Sequence, residues 1–282
     1  MEPMLAPVPV YGFDTDREAE DRRLVRQAQL LDPLTAPHLR EAGLAPGMHV
    51  LDLGSGAGDT AMLAAELVGP TGTVLGVERS PEAIALARRR VAAAGVHNVG
   101  FVDGDVTALD DLLAAHPEID AVIGRLILMW LPNPVEVLAA CARRLRPGAL
   151  VCFAEVRIDY EFAAPRTRLW DQVQYWMEQT LSALAVETRM GPKLHRSFRA
   201  AGLPAPQLRG SVFEASGTDA PVWFWVNILR GLAPAMAAHG IATAEELGLD
   251  TLEQRLCADL ATADAVMTVP PVTVAWARVP TT

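Results

Sequence analysis

Between His49 and Ala154 five short apolar runs are interspersed with segments of helical periodicity, and that rhythm narrows the fold more than any other feature. His49–Leu53, Thr73–Val77, Val99–Val102, Ile119–Gly124 and Ala149–Ala154 read as strands. Helices are expected from about Asp59 to Val68, from Pro81 to Gly95 and from Val135 to Leu145. Ser80 before Pro81 is a good helix start, because the serine can cap and the proline's fixed φ suits the first turn. Strands alternating with helices imply βαβ units, right-handed crossovers and a parallel sheet covered on both faces.

The flanks read differently. Residues 1–15 are Pro-rich, and helical spacing from Arg17 to Leu31 is expected to break at Pro33 and Pro37, with a short helix to Gly43. Past Glu155 a helix is expected from Arg166 to Met190, then another short helix, a strand at Gln207–Glu214, a helical block from Pro221 to Met267 and a last strand at Val272–Val279. The expected organisation is an N-terminal helical segment, 1–43, contributing to a cap, and a core, 44–282, with helical insertions at about 157–203 and 217–267.

The first strand runs into Asp52-Leu53-Gly54-Ser55-Gly56-Ala57-Gly58. Glycines there let the chain turn sharply and bring its backbone against a ligand. The spacing is Gly-x-Gly-x-Gly, not the Gly-x-Gly-x-x-Gly of dinucleotide sites. Asp52, two residues before the first glycine, would repel a pyrophosphate and attract an ammonium. Glu78 closes the second strand, where a carboxylate can accept ribose hydroxyls. Asp103-Gly104-Asp105-Val106 closes the third, with a carboxylate suited to the adenine amino group. Arg125 and Glu155 end the fourth and fifth expected strands. One or both face an acceptor, or the two pair as neighbours on adjacent strands, or Arg125 packs as structure over the bound ligand.

These residues resemble the class I methyltransferases that use S-adenosylmethionine (SAM) and release S-adenosylhomocysteine. The resemblance covers roughly 44–155 and extends to Leu145-Arg146-Pro147-Gly148. It implies an α/β fold, a Rossmann-like sheet of seven mostly parallel strands with the last antiparallel, which Val272–Val279 fits. It also implies that Gly54, Gly56 and Gly58 line the cofactor, that Glu78 holds the ribose and Asp105 the adenine. Asp52, Ser55, Arg79, Val106 and Arg125 complete the expected cofactor set. Met190-Gly191-Pro192-Lys193-Leu194 and Ala201-Gly202-Leu203-Pro204 are similar to small-molecule members of quinone-biosynthesis and natural-product type.

Methyl transfer from a sulfonium needs in-line approach and exclusion of water, and a base only where the acceptor must lose a proton. The catalytic candidates are His195, Arg125 and Glu155, and no base is assigned. Tryptophan and methionine in the insertions (Trp170, Trp176, Met177, Trp223, Trp225, Met236) suit either an apolar lid or the insertions' own core. A small, apolar acceptor is expected. A SAM-binding cyclase and a non-catalytic SAM-binding scaffold share the loop and remain alternatives, which product mass separates.

Net charge is −10, so nucleic acid and anionic membranes are poor partners. Three widely spaced cysteines show no metal-ligand spacing, and no metal is expected. No apolar run approaches a membrane span, and no secretory signal is readable, so a cytoplasmic location is the expectation. A homodimer is compatible with the sequence.

Overall fold

The structure is a computed structural model that describes residues 17–280. Residues 1–16, part of the segment expected to join the cap, lie outside the described residues. The elements in chain order are α1 (Arg17–Ala42), β1 (His49–Leu53), α2 (Asp59–Val68), β2 (Thr73–Glu78), α3 (Pro81–Ala93), β3 (Val99–Asp103) and α4 (Leu109–Ala115). Then come β4 (Ala121–Arg125), α5 (Pro134–Arg144), β5 (Leu150–Val156), β6 (Ala163–Ala164), α6 (Arg168–Ala183), α7 (Met190–Ala200) and β7 (Gln207–Ser211). The chain closes with β8 (Glu214–Ser216), α8 (Val222–Ala238), α9 (Ala244–Leu247), α10 (Leu249–Thr262), β9 (Val266–Thr268) and β10 (Val272–Arg278).

Seven strands form one sheet in the order β3-β2-β1-β4-β5-β10-β7. β3, β2, β1, β4 and β5 are mutually parallel, and β10 runs antiparallel to both β5 and β7. The expected seven-stranded, mostly parallel sheet is therefore present. Its central strands β1 and β4 are buried except at one end residue each, and β5 at every residue, which accounts for their near-continuous apolar sequence. Chain order reverses between β1 and β4, the topological switch point beside which ligands of such sheets bind.

The described residues divide into two compact units, 21–158 with 188–211 and 271–280, and 17–20 with 159–187 and 212–270. The expected insertion at 157–203 is thus split. Residues 159–187 belong to the second unit, whereas α7 packs on α5, β5 and β10 in the sheet unit. Gly191 explains how closely: a Cβ there would lie 3.2 Å from the carbonyl oxygens of Glu155 and Val156. The helix expected over 166–190 is interrupted after α6, where Ala185 takes a φ of 55°.

The second unit consists of α6, α8, α9 and α10 with a three-stranded antiparallel sheet, β6-β9-β8. Its core is aromatic: Trp225 packs 4.5 Å from Phe162 and 5.1 Å from Trp170, centroid to centroid, and its indole N–H donates to Thr268 O. Trp170, Met177, Trp225 and Met236 are buried in this unit, while Trp176 and Trp223 are half-buried.

Helix α1 departs from expectation, running unbroken through Pro33 and Pro37. Each proline removes a helical hydrogen bond, at a cost of roughly 3 kcal/mol. The apolar stripe of Leu24, Leu31, Leu34 and Leu39 continues across both and is buried, so packing outweighs the loss. No helix among the described residues is long and apolar enough to cross a membrane.

Candidate cofactor site at the glycine loop

The carboxyl ends of adjacent strands bring most of the expected residues to one edge of the sheet. Asp52 lies on β1, Glu78 ends β2, Asp105 follows β3, and Arg125 ends β4. Register fixes them: Asp52 is paired with Gly76, and Glu78 with Asp103.

The glycine loop spans the gap between β1 and α2. Gly54, Gly56 and Gly58 all have positive φ, at 65°, 52° and 87°. At Gly54 space also demands glycine, because a Cβ would lie 2.5 Å from Cδ1 of Ile127. At Gly56 nothing lies within 4 Å of that position, so the backbone there borders open space. From α3, Arg90 braces the loop, donating to the Ala57 carbonyl at 2.7 Å and to Asp59 at 2.6 Å, in an ion pair shielded from solvent. Ser55 N donates to Val77 O, tying the loop to β2.

Glu78 is held by the loop as much as by its own strand. Its Oε2 accepts from Gly56 N at 3.1 Å, and its Oε1 from Arg79 N and Ser80 N at 2.8 and 2.9 Å. Asp105 Oδ1 accepts from the backbone and the hydroxyl of Thr107, and the Thr107 backbone bond above all holds its carboxyl below the usual range. Arg79 is exposed, and Val106 is buried beside Asp105.

Asp52 differs from the other two carboxylates. It is completely buried, and neither carboxylate oxygen has a hydrogen-bond partner among the described residues. Burial pushes its carboxyl up to about 8, against the pull of the nearby Arg125 charge. The Ser55 hydroxyl is likewise buried without a partner. A buried polar group without a partner costs free energy, so two at one loop point to a ligand that satisfies them.

The catalytic candidates do not converge. His195 is exposed on α7. Arg125 does not pair with Glu155 but with Asp32 of α1, at 2.8 Å, because β4 ends beside that helix. Glu155 lies inside β5, one residue before its end, and accepts from the backbone of Ile127 and Leu128. Asp32, Arg90 and Ile127 are the residues of this region that sequence reading missed. Only Arg90 left a signal, a cation on the face of α3 opposite an acidic first turn of α2.

A profile described as a methyltransferase domain matches residues 44–202, more than half of the chain. The chain belongs to the methyltransferase-domain family. Its cofactor is SAM. The match contains every residue of the site just described except Asp32. An arsenite methyltransferase from Halobacterium salinarum is 41% identical over 115 residues, which cover 41% of this chain and 29% of that relative. A ubiquinone biosynthesis O-methyltransferase from Thiobacillus denitrificans is 38% identical over 109 residues, covering 38% and 44%. The chain thus spans less than half the length of these curated relatives. In fold it is similar to the YcgJ protein from Bacillus subtilis, with a TM-score of 0.55 at 18% identity, over 86% of this chain and 96% of that one.

Proposed function

We propose that this chain transfers the methyl group of SAM to a small, largely apolar organic molecule. The observation that carries the reading is the unpartnered, buried Asp52 carboxyl at the start of the glycine loop. An α-ammonium beside it would stabilise its ionised form, which an anionic pyrophosphate would not.

The other residues divide the cofactor's remaining parts between them. Glu78, oriented by three backbone N–H groups, holds the ribose hydroxyls. Asp105, oriented by Thr107, accepts from the adenine amino group, with Val106 as apolar packing. Gly54, Ser55, Gly56 and Gly58 let the backbone approach closely. Bound there, SAM supplies an electrophilic methyl group on a sulfonium. The protein's contribution is to fix that group's position and keep water from it, so that the acceptor meets it in line.

The acceptor reading rests on chemistry available to the chain. Arsenite, the substrate named for one relative, is a soft centre that calls for thiolates. Burial pushes the Cys141 and Cys152 thiols up to about 12, so neither is a thiolate at neutral pH, and the exposed Cys257 is a single thiol on α10. No cluster of three His, Cys, Asp or Glu able to hold a metal ion occurs among the described residues. The net charge of −10 disfavours a nucleic acid substrate. A neutral carbon-based metabolite meets neither objection.

The test is incubation with methyl-labelled SAM, offering arsenite alone or a panel of small phenols, amines and carboxylic acids. Label in an organic product is expected. Label in arsenic alone, or an organic product rearranged without label, contradicts the reading.

A further inference from the structure

β5 reads Leu-Val-Cys-Phe-Ala-Glu-Val, and every one of its residues is buried. Glu155 is its one charged residue, and a carboxyl in the middle of a sheet is costly wherever an apolar side chain would serve. Its Oε1 accepts from Ile127 N at 3.1 Å and from Leu128 N at 2.7 Å, while Oε2 has no hydrogen-bond partner among the described residues. Both donors belong to the turn that leaves β4, not to a neighbouring strand.

That turn is strained. Leu126 has a φ of 58°, a left-handed conformation that crowds its Cβ against its carbonyl. Such conformations persist only where surroundings hold them, and they gather at functional sites. Leu126 N donates to Ala154 O at 2.9 Å, so the turn is bound to β5 on both sides of its strained residue. Ile127, the next residue, fills the space over two glycines. A Cβ on Gly54 would lie 2.5 Å from its Cδ1 and 2.7 Å from its Cγ1, and one on Gly124 would lie 2.8 Å from its Cγ2. A path of direct contacts therefore runs from Glu155 through Ile127 to the first glycine of the loop.

We propose that Glu155 is a positioning residue for the cofactor: it holds the Leu126–Leu128 turn in its left-handed form and so keeps Ile127 against Gly54 as a wall of the glycine loop. This rests on the reading of that loop as the SAM site. Glu155 acts through backbone groups and not on reacting atoms. What the turn needs is an acceptor oxygen, which a glutamine amide supplies as well as a carboxyl. Burial pushes the Glu155 carboxyl up to about 8, consistent with a group that serves while uncharged.

The experiment is calorimetric titration of the full chain with SAM, alongside thermal unfolding, for wild type, Glu155→Gln, Glu155→Ala and Ile127→Ala. Glu155→Gln is expected within about threefold of wild-type affinity, and Glu155→Ala weaker by about tenfold or more while still folded. Ile127→Ala, which leaves the clamp in place, is expected to weaken binding several-fold. Folded Glu155→Ala with wild-type affinity overturns the proposal, as does Glu155→Gln falling as far as Glu155→Ala. If Glu155→Ala does not fold, wild-type affinity in Ile127→Ala overturns it. If wild type binds no SAM, the reading of the loop fails. The clamp is then decided by hydrogen exchange at the Ile127 and Leu128 amides in Glu155→Gln: protection kept as in wild type supports it, and protection lost overturns it.

Discussion

Arg125, at the end of β4, donates to the Asp32 carboxylate of α1 at 2.8 Å and to the Thr35 hydroxyl at 3.3 Å, across 93 and 90 residues of sequence. The guanidinium is almost fully shielded from solvent, its side chain 7% exposed. It also draws the Asp52 carboxyl downward, so one cation serves the helix and the cofactor site. Removing it leaves Asp32 partly buried without its partner. Arg125→Ala is expected to destabilise the fold by about 2 kcal/mol, the range for a hydrogen bond to a charged group. It is also expected to weaken SAM at neutral pH by raising Asp52 further. Thermal unfolding and calorimetry on the one variant check both effects.

The protonation of Asp52 makes cofactor binding release a proton. With its carboxyl at about 8, Asp52 is mostly neutral at pH 7, and pairing with an ammonium requires it to ionise. Asp59 and Glu78 act in the same direction as burial, and Arg125 against it. Calorimetry in buffers of different ionisation enthalpy is expected to show close to one proton released per SAM near pH 7. Affinity should rise by up to about tenfold per pH unit below 8, until the ligand's own amine begins to lose its proton. Asp52→Asn should abolish the release.

Two of the loop glycines, Gly54 and Gly56, are expected to fail in different ways. Gly54→Ala combines positive φ with a Cβ 2.5 Å from Ile127, so it should lower the melting temperature strongly. Gly56→Ala meets nothing within 4 Å and carries only the left-handed penalty, about 1–2 kcal/mol. Its methyl group projects into open space beside the loop. It should therefore leave a folded protein that has lost SAM affinity, a separation that melting curves and titrations on the two variants would reveal.

Glu155 gives a stability signature. Its folded-state value of about 8 is raised from the 4.5 of an ordinary glutamate, chiefly by burial. A group raised on folding contributes stability that is fully present below its unfolded pKa and is lost as pH rises through its folded one. Wild type should therefore lose stability relative to Glu155→Gln between about pH 4.5 and 8, and hold a constant difference above that. Paired melting curves across this range are the measurement, and parallel curves would contradict the assignment.

What the sequence revealed and what it hid follow from the range of the interactions. The β/α alternation and the glycine loop are written in local periodicity and residue type, and the order of carboxylates Asp52, Glu78 and Asp105 survives into one sheet edge. Pro33 and Pro37 suggested a break in α1 because propensity is local, whereas the burial of Leu31, Leu34 and Leu39 that overrides it is tertiary. Helix α4 passed unread, since seven residues with Leu109 and Leu113 as the buried pair give too little periodicity. The partners of Arg125 and Glu155 were hidden for a similar reason. One lies 93 residues away, and the other is backbone, which carries no residue type at all.

The central claim is that a buried Asp52 beside a Gly-x-Gly-x-Gly loop selects SAM. Calorimetric titration of wild type and Asp52→Ala with SAM and with NAD tests it most directly. Saturable binding of SAM by wild type, none of NAD, and loss of SAM binding in folded Asp52→Ala is the expected result. Binding of NAD, or unchanged SAM affinity in Asp52→Ala, would contradict it.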